Sequence, residues 1–90
     1  SAVTPSARMA VAYDADLEAL GALVAERKST MDSVTAREIA ASMRVIDDAI
    51  LRVRAALDAN PGRALLSRQL AFAYLVKVRT LRRVAELSAE

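Results

Sequence analysis

Apolar residues recur at helical intervals in three successive stretches of this chain. Between Ser6 and Lys28 they fall at Met9, Tyr13, Leu17, Leu20 and Val24, in steps of four, four, three and four. Such spacing lays one stripe along a single helix face. The second stretch is more regular: Ile39, Met43, Ile46, Ile50, Val53 and Leu57 alternate steps of four and three without a miss. The third carries Leu66, Leu70, Tyr74, Leu81 and Val84 on one stripe. A second set, Leu65, Phe72, Val76 and Leu87, is displaced from it by about a third of a turn. Helices are therefore predicted near residues 6–28, 34–59 and 61–88, with residues 1–6 as an extended tail.

Punctuation between the stretches supports those boundaries. Asp32 is placed to cap the second helix, and Thr35-Ala-Arg-Glu38 offers a rival capping box with Val34 and Ile39 as a staple. Asn60-Pro61-Gly62 stops that helix, and Asn60 is placed to cap a third that begins at Pro61. So short a turn makes the second and third helices an antiparallel hairpin. The first helix then completes an all-α, three-helix antiparallel bundle. The perfect stripe from Ile39 to Leu57 is expected to be its most buried run.

Composition narrows the chemistry. The chain has 90 residues, one domain near the lower end of what a single core stabilises. Apolar residues make up 54% of it but aromatics only 3%, so the core is thin and aliphatic. Histidine and cysteine are both absent, which removes the usual general base, disulfides and thiolate metal sites. Asp14-Ala-Asp16-Leu-Glu18 has the look of a calcium loop but lacks its glycine at the sixth position and its glutamate at the twelfth. Asp47 and Asp48 are adjacent on a helix and point about 100° apart, so they cannot share a proton or a metal. No nucleophile stands beside a base. The sequence predicts neither an enzyme nor a cofactor.

Charge adds two expectations. Arg79, Arg82 and Arg83 cluster near the end of the third helix, where the macrodipole alone favours cations. With no aromatic residues interleaved for stacking, nucleic acid is not expected as a partner. Acidic residues dominate the first helix and basic ones the third, which suits two packed helices or a basic face kept for a partner. Lys77 interrupts the third stripe; counting along the hairpin puts it level with about Arg44 to Asp47, and counting across the first connection puts Asp16 at the level of Asp47. A structural ion pair of Lys77 with Asp16 or Asp47 is therefore expected. The third helix is also apolar around more of its circumference than one neighbour can cover. Two neighbours in one bundle would cover Leu65 and Val76, leaving a monomer as the competing reading. Phe72 and Leu75 are hardest to bury internally, so the face of Leu65, Phe72, Leu75 and Val76 is predicted to join a second copy.

The hairpin also resembles one known family. Val45-Ile-Asp-Asp-Ala-Ile50, Ala55-Ala-Leu-Asp-Ala-Asn-Pro-Gly62 and Leu70-Ala-Phe-Ala-Tyr74 with Lys77 are similar to the region beyond the membrane in bacterial transmembrane anti-sigma factors that carry an N-terminal zinc finger. The similarity covers about residues 15–85, and its helical motifs have modest specificity. The resemblance implies an extracytoplasmic sensor or assembly domain on the periplasmic side, acting on a second copy or on another envelope protein. Neither the finger nor a membrane span is present, so no zinc ligand is carried over, and any membrane link would run through an anchor outside this chain. A chain opening on Ser1 is expected to be a processed or excised piece of something longer. The alternative is a soluble cytoplasmic helical adaptor or assembly subunit.

Overall fold

A computed structural model describes residues 3–87 of the chain, and those residues fold into three helices. They are α1 (Pro5–Lys28), α2 (Ser33–Ala59) and α3 (Ala64–Leu87). They lie side by side in a rod measuring 45 × 21 × 20 Å. The expected end of the third helix at Ser88, like the first two residues of the predicted tail, falls outside the described residues.

Each helix start has a local cause. Thr4 caps α1, its hydroxyl oxygen accepting from the Ala7 amide at 3.2 Å, with Pro5 at the first helical position. The predicted tail is thus shorter than residues 1–6: Pro5 and Ser6 are helical. At the second start Asp32 wins over the Thr35 box. Its carboxylate accepts from both the amide and the hydroxyl of Thr35, each at 3.2 Å, so the Thr35 side chain is committed backwards. The third helix begins at Ala64, three residues later than the Pro61 start expected from sequence. The reason is Asn60. Its side-chain amide donates to Ala56 O at 3.2 Å, closing the last turn of α2 and leaving no cap for a helix starting at Pro61.

Cross-helix contacts set the levels. Ser6 meets Asp58, Tyr13 stacks on Tyr74, and Lys77 meets Asp47. Hence α2 runs antiparallel to both neighbours, while α1 and α3 run in the same direction. Most packing is made by α3, against α1 on one side and α2 on the other, and α1 and α2 meet more sparsely.

The core has two parts. At the hairpin-turn end Ile50, Leu57, Leu70 and Tyr74 are buried, with Met9, Tyr13 and Ile46 packed against them. At the opposite end Val24, Leu81 and Val84 are buried, with Met31, Ile39 and Met43 around them. Leu17 touches both. This corrects the expectation that the Ile39–Leu57 stripe would be the most buried run. Of that stripe Ile50 and Leu57 are buried and the others only partly so, whereas α3 buries Leu70, Tyr74, Val78, Leu81 and Val84. The register of α2 is as predicted, but α3 is the helix with neighbours on two sides. Val78 was missed because Lys77 was placed in the stripe; the buried row steps from Tyr74 to Val78 to Leu81, and Lys77 stands on its flank.

Candidate functional site

Lys77 sits where the two core parts meet. Its ammonium lies 2.7 Å from Asp47 Oδ1, and its side chain is 24% exposed, so the stem is packed while the charge is neutralised at the edge. Asp14, Arg54 and Tyr74 line the same cleft between α1 and α2. Asp16 is exposed and does not line it, which corrects its place among the expected partners. Residues 14 and 16 are about 200° apart on a helix, so only one of them can face α2. Within this cleft Asp47 and Lys77 neutralise each other directly, as in a structural seam between helices.

A second polar cluster pins the start of α1. Ser6 is 1% exposed. Its hydroxyl donates to Asp58 Oδ2 at 2.6 Å and its amide to Asp58 Oδ1 at 3.1 Å. Arg54 Nε donates in turn to the Ser6 hydroxyl at 3.3 Å. Asp58 therefore caps α1 from the end of α2, satisfying one of the free amides of the first turn. The Ser6 hydroxyl holds the Asp58 carboxyl below its ordinary range. Desolvation pushes back, and the Ser6 amide, Arg54 and Thr4 add to the lowering. The sequence pattern puts Ser6 at the junction of tail and helix and gives it no partner. The signal was present in Thr4-Pro5, a cap followed by proline.

Neither cluster supplies reactive chemistry. Among the described residues, no group of three His, Cys, Asp or Glu side chains converges on one point. No helix is long and apolar enough to cross a membrane, again among the described residues.

The outer face of α3 carries apolar side chains that the bundle does not cover. Phe72 is 63% exposed, Leu65 48% and Leu75 39%, and Val76 is only partly covered. Val45 of α2, 68% exposed, stands beside them. Together Val45, Ile46, Ala49, Phe72, Ala73 and Val76 line a wholly apolar groove of about 230 Å³ between α2 and α3. Val45 was not among the predicted interface residues. It falls off the Ile39–Leu57 stripe by about 100°, and an apolar residue so placed beside Ile46 is the signal that went unused. Nearer the end of α3 a separate depression of about 400 Å³ lies between α2 and α3, lined by residues that include Glu38, Ser42, Thr80 and Arg83. Farther round α3, Arg79, Arg82, Arg83 and Glu86 frame a charged depression. The site is thus a ridge and groove, apolar over the first half of α3 and basic over the second. No known protein family, no characterised protein and no solved structure matches this sequence.

Proposed function

We propose that this chain is a non-catalytic interaction module that works by presenting the outer face of α3, with Val45 of α2, to a second copy of itself. The observation that carries this reading is the exposure of Phe72 beside Leu65, Leu75 and Val45 on one side of the bundle. An exposed aromatic flanked by aliphatic side chains and an apolar groove is what a partner covers. The basic half of α3 lacks interleaved aromatics and suits protein carboxylates better than stacked bases. Following the hairpin residues from Val45 to Lys77, we place the module in the outward-facing part of a membrane-anchored anti-sigma factor, as a sensor or assembly domain. In that setting association of the modules outside the membrane would report to the regulator within.

Phe72→Asp tests the first half of this proposal. Because the ring is mostly exposed, the substitution should change folding stability by no more than about 0.5 kcal/mol. It should also abolish self-association in sedimentation equilibrium. A wild-type chain that stays monomeric at millimolar concentration refutes the reading. The second half is tested by the gene: a span and a Cys/His finger encoded upstream of Ser1 support it, and their absence there sinks it.

A further inference from the structure

The partner surface for α3 can be identified on the same molecule. Of the three helices α1 is the least amphipathic. Met9, Tyr13, Leu17, Leu20 and Val24 turn inward, yet Val11 and Leu23 are exposed on the outside, with exposed Ala15, Ala19 and Ala22 between them. A helix that needs only to pack inward is polar on its outer face; this one sets Val11, Leu23 and three alanines among its exposed carboxylates. Its exposed charges are mostly acidic, Asp14, Asp16, Glu18 and Glu26, with Arg8 exposed near the start and Arg27 and Lys28 partly covered in the last turn. The charges of α3 are opposite: Arg68, Lys77, Arg79, Arg82 and Arg83 against Glu86 alone.

Resting on the reading that the α3 face binds a second copy, we infer that the copies join head to tail, the outer face of α1 of one molecule seated on the outer face of α3 of the next. Level and charge agree with this. The helices α1 and α3 point the same way, and Tyr13 lies against Tyr74 with ring centroids 4.9 Å apart. Counting equal steps from that pair puts Val11 level with Phe72, Ala15 with Val76, and Glu18 with Arg79, while Glu26 falls level with Leu87, about one turn beyond Arg83. Rotation about an axis along the bundle leaves every level unchanged, so in a cyclic assembly the neighbour's α1 arrives in that register. The apolar halves then meet each other, and the carboxylates meet the guanidiniums. Pairing α3 with α3 is worse. Run parallel, it opposes two arginine clusters. Run antiparallel about Phe72, it puts Arg79 beside Leu65 with no carboxylate of α3 at that level.

Sedimentation equilibrium of the whole chain and its variants tests the contact, with circular dichroism confirming unchanged helicity at these exposed sites. Glu18→Lys with Glu26→Lys should weaken association at least about tenfold, since it sets like charges against Arg79 and Arg83. Adding Arg79→Glu and Arg83→Glu to the same chain should restore it, which a misfolded variant could not do. Association of the wild type should also weaken as salt is raised from low ionic strength. If the wild type associates and Phe72→Asp does not, but the Glu18/Glu26 variant associates as tightly as wild type, the α1 contact is refuted and the α3 face meets another surface. A quadruple variant that stays dissociated refutes the pairing as well. No association of the wild type at all defeats the proposed function together with this inference.

Discussion

The two ends of the bundle are built differently. At the hairpin-turn end Leu57 and Leu70 are fully buried, Tyr74 stacks on Tyr13 at an interplanar angle of 11°, and Ser6 is clamped on Asp58. At the opposite end the buried residues are Val24, Leu81 and Val84, none of them completely sealed, and a depression of about 400 Å³ opens between α2 and α3. Larger side chains, a stacked aromatic pair and a charged cap all sit at one end. Shorter side chains and the connection Ser29–Asp32 occupy the other. The lesson is that the tightest sealing lies beside the short turn, where the chain closes most sharply. The far end keeps an accessible groove at the cost of a looser core.

Truncation of a core leucine at each end is the strongest test of that difference. Leu70→Ala should cost about 3–5 kcal/mol, because a fully enclosed site cannot collapse into the space. Leu81→Ala, beside the open groove, should fall near about 2–3 kcal/mol. Urea denaturation of both variants measures this, and equal losses would erase the distinction between the ends.

Acid should act on the turn end first. The Asp58 carboxyl is held below its ordinary range in the folded chain. Its contribution is therefore fully present above the unfolded-state value, about pH 4, and is lost as pH falls through the lower folded-state value. Asp58→Asn should flatten the decline in thermal midpoint as pH falls below about 4, compared with wild type. A variant that loses stability with acid as steeply as the parent would mean that the clamp contributes nothing to the sealed end.

The smallest effect is expected at the seam. Lys77 and Asp47 are partly exposed, so solvent screens the pair despite its 2.7 Å approach. A double-mutant cycle with Lys77→Met and Asp47→Ala should give a coupling of about 0.5 kcal/mol. A coupling several times larger would make the seam, and not the turn end, the organising point of the bundle.

Much of this architecture was legible in the linear pattern, and the errors share one origin. Periodicity located all three helices and the faces they bury. The short Asn60–Arg63 turn forced the hairpin, and counting residues put Lys77 at the level of Asp47. Counting gives height along a rod but not direction around it. Whether Asp14 or Asp16 faces α2 depends on the side from which α1 approaches the hairpin, and both residues flank the same apolar stripe. The same gap hid the role of α3. Its stripe is less regular than that of α2, yet it buries more, because burial follows from the number of neighbours and not from the regularity of the pattern.

What the sequence determined by itself is therefore local: helix identity, apolar faces, the turn, the acidic character of α1 and the basic character of α3. These depend on residues within a few turns of one another, where propensity, capping and period act directly. Tertiary structure alone decided that Ser6 docks on Asp58, that Lys77 meets Asp47 while Asp16 stays exposed, and that Phe72 and Val45 share one exposed patch. Each of these pairs or competitions turns on how the rods are rotated against one another or on where a side chain finds its hydrogen bond. Such choices are settled by packing three helices at once, a constraint that no single stretch of the chain contains.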